Sequence, residues 1–307
     1  MIELVVCSGK GGTGKTSIVA SLASLASDFV MADCDVDAAN LHLVTGPSTD
    51  STTPFVSGHR AEIRRDDCDN CGTCAELCQF SAIDVLTDAE GRTFHRVNPI
   101  ACEGCGVCVH FCPVEAIDFP AERCGEWNLS RTRFGPLVHA NLDVGAENSG
   151  RLVTLVREQA RHTAQRADLD LILVDGPPGL GCPVTAVLTG ADHTLLVTEP
   201  SQSGLHDLHR VLDLAGHFGV PAMVCINKYD LSPRLTAEIE TACARRSIPV
   251  LGRIPYEPQV NDAQNAGRSL IEYAPTCDAA VAIRSLWGRI SLQLAGEPLK
   301  KGQTPCV

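Results

Sequence analysis

The chain has 307 residues, 44% of them apolar, and a formal charge of −12. That length and apolar content allow about two domains with real cores, and the charge tells against nonspecific binding of nucleic acid or of an anionic membrane. No apolar run reaches the ~20 residues of a membrane span. No basic-then-apolar leader precedes the first apolar stretch, so a cytoplasmic protein is expected, with no nucleic-acid partner and no membrane partner.

In chain order, "IELVVC" (2–7) reads as a buried parallel strand from its continuous apolar run. A glycine-rich loop follows, then helical spacing in "KTSIVASLASLAS" (15–27) and a second strand, "FVMADCD" (29–35), ending in acids. Further strands are predicted at "LDLILVDGPPG" (169–179), "HTLLVTEPS" (193–201), "VPAMVCINK" (220–228) and "IPVLGRIPY" (248–256). Helical stretches lie near 150–167, 203–218, 232–246 and 276–294. Strands alternating with helices specify an α/β fold, a doubly wound, mostly parallel sheet. The gap from about 46 to 150 is far longer than a normal connection in such a fold. It predicts an inserted module at 59–120 and a separate segment, 121–150, whose "WNLSRTRF" alternates like an exposed hairpin. That hairpin is a docking surface for a redox partner or a plain cover for the insertion. The expected domains are 1–58 with 121–307, and 59–120.

Gly9 to Thr16 satisfies G-x-x-x-x-G-K-[ST] between a predicted strand and a predicted helix. Backbone N–H groups of such a loop cradle phosphates, helped by the helix N-terminus. Lys15 is expected at the β and γ phosphates of ATP, and the Thr16 hydroxyl on Mg²⁺. The nucleotide-binding set is Gly9, Gly11, Gly12, Thr13, Gly14, Lys15, Thr16 and Ser17.

The loop reads "KGGTGKT", with a second lysine, Lys10, before the glycines. It resembles the deviant Walker A loop of the MinD/ParA/Mrp/nitrogenase-iron-protein superfamily. The resemblance implies that Lys10 reaches across a dimer to the partner's nucleotide and neutralises charge developing in phosphoryl transfer; the alternative is a solvent-exposed charge beside the loop. "DCDVDAAN" (33–40) resembles the family's switch I, with Asp35 positioning the attacking water between Asp33 and Asp37. "VDGPPGLG" (174–181) resembles Walker B and switch II, with Asp175 holding Mg²⁺ through water and Gly179 in the γ-phosphate sensor. "INKYD" (226–230) would bring Asn227 to the adenine, and "IPYEP" (254–258), through Pro255, would line the base pocket, at the strand ends where open α/β sheets bind ligands. The implied assembly is a homodimer or a heterodimer with a paralogue.

Sixteen cysteines are too many for an ordinary chain of this length, and eight fall between 68 and 112. In a long chain with no leader, clustered thiols point to metal ligation. "CDNCGTCAELCQFSAIDV" (68–85) matches "CEGCGVCVHFCPVEAIDF" (102–119) at an offset of 34 residues, a pseudo-twofold metal module. Each copy has C-x2-C-x2-C-x3-C spacing, which resembles the bacterial two-cluster ferredoxin run. The resemblance implies two [4Fe–4S] clusters, one held by Cys68, Cys71, Cys74 and Cys112, the other by Cys102, Cys105, Cys108 and Cys78. Zinc, satisfied by pairs of C-x2-C arms, is the rival. Gln79 departs from the pattern, standing where the second copy has Pro113.

Cys182 follows Asp175 by seven residues, the offset of the ligand of the dimer-bridging cluster in the nitrogenase iron protein. It is either a small buried residue after a turn, or a redox thiol or bridging ligand, with Cys124 the nearest second candidate and none in "LDVGAENSGR" (142–151). His206 and His209 read as surface or helix-packing residues.

The chain as a whole resembles MinD-superfamily P-loop ATPases with an inserted ferredoxin domain. The leading expectation is an ATP hydrolase whose dimer couples ATP turnover to electron transfer through the clusters to a redox partner protein. Two alternatives stand: a spatial-positioning ATPase with the clusters as redox sensor, and an iron–sulfur assembly or carrier ATPase. For the first, "VAIRSLWGRISLQLAGEPLKK" (281–301) has Leu286, Trp287, Ile290 and Leu294 at helical spacing but few basic residues, which favours docking on the core over lipid. For the second, Cys277 and Cys306 are isolated rather than paired as C-x-x-C.

Overall fold

The computed structural model describes residues 1–143, 146 and 149–296. The described residues form two units: 1–53, 127–141 and 149–296 make the first, and 54–126 with 142, 143 and 146 the second.

The chain opens with β1 (Ile2–Ser8), α1 (Lys15–Ala23), β2 (Phe29–Asp33), α2 (Leu41–Thr45) and β3 (Ser48–His59). The cysteine-rich stretch contributes β4 (Glu62–Ile63), α3 (Thr73–Leu77), β5 (Ile83–Thr87), β6 (Thr93–Val97), α4 (Val107–His110) and β7 (Ile117–Asp118). The chain returns through β8 (Ala121–Arg131) and β9 (Pro136–Leu142), then α5 (Ser149–Ala167), β10 (Leu171–Pro178), α6 (Cys182–Leu188), β11 (His193–Thr198) and α7 (Gln202–His217). It ends on β12 (Ala222–Asn227), α8 (Pro233–Arg245), β13 (Val250–Ile254), α9 (Gln259–Asn265), α10 (Leu270–Tyr273) and α11 (Asp278–Ala295).

The central sheet has the order β13-β12-β11-β1-β10-β2-β9-β8-β3, and from β13 to β9 every neighbouring pair is parallel. Helices cover both faces, which is why the inner strands are apolar throughout. Leu4 and Val6 of β1, with Leu171 and Leu173 of β10, face a core shared with α1 and α11. Between them in sequence, Val5, Ile172 and Val174 are as fully buried on the opposite face, where α5 and α6 pack. α11 lies on β13, burying Ile283, Leu286, Ile290 and Leu294. At about 1.5–3 kcal/mol for each large apolar side chain removed from water, that row fixes the helix on the core, as its spacing predicts. Residues 297–301 of the same stretch, and Cys306, lie outside the described residues.

The 121–150 segment differs from the exposed hairpin expected of it. β8 and β9 do turn back on each other through Thr132–Gly135, where Thr132 N donates to Gly135 O at 3.0 Å. They belong to the central sheet, β9 running parallel to β2 with His139 opposite Asp33. The alternation in β8 has a polar buried face: Asn128 accepts from Thr52 Oγ1 at 2.6 Å and the Ser130 hydroxyl meets His139 Nε2 at 3.0 Å. β3 extends the sheet without any hydrophobic signal, its first seven residues being exposed.

The second unit is built on the 34-residue repeat. β4 pairs antiparallel with β7 and β5 with β6. Positive φ recurs at matched positions: Asn70 (59°) and Gly104 (60°), Gly72 (82°) and Gly106 (74°), Ser81 (51°) and Glu115 (52°). Ala82 N donates to Cys78 Sγ and Ala116 N to Cys112 Sγ, both at 3.3 Å. One backbone path is thus traced twice. The boundaries 59 and 120 expected from the sequence lie inside this unit.

Candidate nucleotide site and cysteine pockets

The glycine loop leaves β1 and enters α1 at Gly14, whose φ of 87° suits glycine. A Cβ there would also come within 2.4 Å of Asn227 Nδ2. Asn227, at the end of β12, donates through Nδ2 to Thr13 O at 2.7 Å, and the next residue, Lys228, donates from Nζ to Gly12 O at 3.0 Å. The late strand therefore holds the loop from behind.

Lys15 is buried, with Nζ 2.5 Å from Asp175 Oδ1 and 3.7 Å from Asp35 Oδ2. Burial alone would lower its pKa, but the charge of Asp175, its hydrogen bond and then Asp35 raise it instead. The second carboxylate oxygen of Asp175 is buried without a partner. An orphaned buried oxygen beside a phosphate loop fits a hydrated cation. Asp33 accepts from Asp35 N at 3.3 Å and from Leu41 N at 3.1 Å, which fastens the switch-like loop at the end of β2. Burial, and then the charge of Asp175, push its carboxyl up to about 8. Burial, only partly offset by Lys15, also raises Asp35.

Two cavities flank the loop. One of about 420 Å³ is lined by Gly12, Gly14, Ser17, Asn227, Pro255 and Tyr256, among others. The other, about 720 Å³, includes Gly11, Thr13, Lys15, Thr16, Asp35 and Asp37 in its wall. The fold thus brings Asn227 and Pro255 together on one side of the loop, and Lys15, Thr16 and Asp35 on the other. Asp175 stands behind Lys15.

Lys10 is not a free surface charge. Its Nζ lies 2.7 Å from Glu199 Oε1 and donates to Ser201 Oγ at 3.1 Å and Ser203 Oγ at 2.9 Å. Glu199 also pairs with Lys228 at 3.1 Å. Burial works against the charged carboxylate, yet the hydrogen bonds from Lys10 and Lys228 hold it below its ordinary value. Glu199, Ser201 and Ser203 carry no sequence signal of this role. Gln264 was equally hidden: it sits in both cavity walls and donates from Nε2 to Ser17 Oγ at 2.8 Å.

In the second unit the eight cysteines of the repeat line two small cavities. Cys68, Cys71, Cys74 and Cys112 line one, with His95. Cys78, Cys102, Cys105 and Cys108 line the other, with Phe80 and Phe119. Each cavity takes three cysteines from one run and the fourth from the other. Among the described residues no group of three or more His, Cys, Asp or Glu side chains is arranged to hold a single metal ion. A four-iron cubane, whose irons each take one thiolate, spreads its ligands more widely than one tetrahedral ion does, so the 3+1 lining is the form of site to compare with it.

Cys182 is exposed at the start of α6, which corrects the expectation of a buried small residue; the Gly150 backbone faces it. Cys124 is buried and donates from Sγ to Ser57 O at 2.8 Å, so its thiol is already engaged. Positions 144, 145, 147 and 148 of the 142–151 stretch lie outside the described residues. Cys277 caps α11, its sulfur accepting from Ala280 N. His206 is exposed on α7 and His209 half-buried, in keeping with surface and packing roles.

A parallel α/β sheet, a G-x-x-x-x-G-K-T loop at the end of its first strand and a buried lysine–aspartate pair beneath it define a P-loop nucleotide-binding protein. Residues 4–271 match the family described as the CobQ/CobB/MinD/ParA nucleotide binding domain, and the chain belongs to that family. Two relatives come from Methanocaldococcus jannaschii. Uncharacterized protein MJ0578 is 36% identical over 231 residues, covering 74% of this chain and 78% of its own. Uncharacterized protein MJ0579 is 24% identical, covering 89% and 93%. Among solved structures, the septum site-determining protein MinD from Pyrococcus horikoshii, complexed with Mg-ADP, has the same fold, with a TM-score of 0.58 at 21% identity over 96% of this chain and 97% of that one. No described helix is long and apolar enough to cross a membrane.

Proposed function

We propose that the chain is a MinD-like ATPase that couples ATP binding and hydrolysis in a dimer to electron transfer, through two [4Fe–4S] clusters, to a partner protein. The observation that carries this reading is the crossed 3+1 lining of the two cysteine cavities in a chain that also holds a nucleotide loop. Cys68, Cys71, Cys74 and Cys112 would hold one cluster, and Cys78, Cys102, Cys105 and Cys108 the other. Bound there, the clusters would supply one-electron storage and transfer.

The chain's own residues do the rest. Lys15, now paired with Asp175, would bind the triphosphate on release from that pair, and Asp175, with Thr16, would hold Mg²⁺. Asp35, 3.7 Å from Lys15, would then orient water at the phosphate. Lys10 reaches a partner's nucleotide only by leaving Glu199, Ser201 and Ser203, so closure of the dimer is opposed by three contacts made within one chain.

The test is ATP hydrolysis by anaerobically purified protein with and without dithionite, alongside reduction of an acceptor protein. Coupling appears as a rate of hydrolysis that changes with cluster reduction, and as acceptor reduction that requires ATP turnover. Equal rates in every arm would remove it. Lys10→Ala is expected to bind ATP and to lose most hydrolysis and dimer formation, read by turnover and by sedimentation with a non-cleavable analogue.

A further inference from the structure

The two cysteine cavities trace one backbone path, yet the side chains around them differ at matched positions. In the first run Cys68 Sγ lies 3.9 Å from Asn70 Oδ1 and Cys71 Sγ lies 3.5 Å from Thr73 Oγ1. Thirty-four residues on, Asn70 is replaced by Gly104 and Thr73 by Val107. Neither can give a side-chain hydrogen bond to a sulfur. Gly104 cannot even be exchanged for asparagine, because a Cβ there would sit 2.3 Å from His59 O. The first cavity also includes His95, 7% exposed, whose Nδ1 is 3.2 Å from Asn70 Oδ1. The second cavity has Phe80, Ile83, Val97 and Phe119 in its wall instead.

A ligating thiolate has no proton to donate, so a carbonyl oxygen facing it is unfavourable. Exchange of the oxygen and nitrogen of the Asn70 amide, which are interchangeable in outline, puts an NH2 group in the same place. One hydrogen then points to Cys68 and the other to His95 Nδ1, provided the imidazole carries its proton on Nε2. Thr73 Oγ–H is similarly free to turn to Cys71. Each donated hydrogen bond stabilises the more negative, reduced form of the site.

We propose that Asn70, oriented by His95, and Thr73 make the first site the higher-potential one of the pair, so that an electron shared between the two rests at Cys68, Cys71, Cys74 and Cys112. This rests on the cluster reading above. Asn70 and Thr73 touch the sulfurs; His95 is a positioning residue.

The experiment is a redox titration of the anaerobically purified full chain, followed by electron paramagnetic resonance, with iron counted in each sample. The variants are Asn70→Gly, Thr73→Val, the pair together, and His95→Leu. Glycine suits the φ of 59° at position 70, and valine keeps the shape of threonine, so the fold is retained. Wild type should show two separate midpoints. The double variant should lower the more positive one by about tenfold or more in the reduction equilibrium, ~59 mV per tenfold for one electron, and leave the other in place. His95→Leu should reproduce the Asn70→Gly part of that shift. Unmoved midpoints in a protein that keeps its full iron would overturn this inference and leave the cluster reading standing. Protein without iron or without ~400 nm iron–thiolate absorption would overturn both.

Discussion

Lys15 shows at the scale of one side chain how the glycine loop is kept in shape. A buried ammonium is unfavourable unless paired, and here its partner is the Asp175 carboxylate, the proposed holder of the cation. The same neighbourhood contains a titration of opposite character. His139 is buried against His42, their rings stacked 5.8 Å apart, and burial, with a smaller contribution from His42, lowers its pKa to about 4. The folded state therefore binds fewer protons than the unfolded one. The stabilisation is complete above the ordinary histidine value near 6.5 and is lost as pH falls through that value towards about 4. Asp33 runs the other way, its contribution being lost as pH rises towards about 8. His139→Gln keeps a polar partner for Ser130 and removes the titration, while Asp33 is common to both proteins. Urea midpoints at about pH 7.5 and about pH 5 should fall more for wild type than for His139→Gln. Parallel falls would place the acid sensitivity elsewhere.

At the scale of elements, the phosphate loop is gripped from two sides, by the end of β12 and by the start of α7. Gly9 marks the second contact: a Cβ at that position would lie 2.4 Å from Asp207 Cβ and 3.0 Å from Asp207 C. Helix backbone is not a flexible neighbour, so Gly9→Ala has to push α7 away, and overpacking of this kind typically costs about 1–3 kcal/mol. Gly11 has open space at the same test, so Gly11→Ala should leave the midpoint of unfolding unchanged while Gly9→Ala lowers it. Chemical denaturation of the two variants side by side measures the difference. The loop, its helix and the parallel strands were legible in the sequence because burial on both faces of a strand demands an unbroken apolar run, as in β1 and β10. β3 was not: it opens with Ser48, Thr49, Asp50, Ser51, Thr52 and Thr53, all exposed, and a sheet edge needs no apolar side chains to hydrogen-bond. The alternation of the hairpin is legible but its environment is not, because Asn128 is buried through Thr52, 76 positions away, and Ser130 through His139 on the neighbouring strand of the same sheet. The hold on Lys10 was hidden for the same reason, since Glu199 and Ser201 lie about 190 positions away.

For the whole molecule, the chain passes from the sheet that carries the glycine loop into the cysteine repeat and back. The loop that carries Asp35 runs through α2 into β3, which leads into the second unit; the return passes through β8 and β9, and β9 lies beside β2, the strand that ends at Asp33. Where the insertion narrows, Arg60 N donates to Pro120 O at 3.1 Å, and the Arg60 guanidinium pairs with Glu122. Two chain segments already hydrogen-bonded to each other can be joined by a short turn without straining what they leave behind. A protein in which residues 61–119 are replaced by a two-residue Asn-Gly turn should therefore keep the first unit folded, with wild-type nucleotide affinity by calorimetry. Its hydrolysis should continue and should no longer differ between oxidising and reducing conditions. The comparison tests the proposed coupling against a response seated outside the repeat. If the shortened protein still responds to dithionite, the sensitivity belongs to a thiol outside 61–119, with the exposed Cys182 ahead of the half-buried Cys277 and the buried Cys7, Cys34 and Cys124, and the repeat is not its source. If the response disappears while affinity holds, reduction is sensed in the repeat, and the proposed coupling stands.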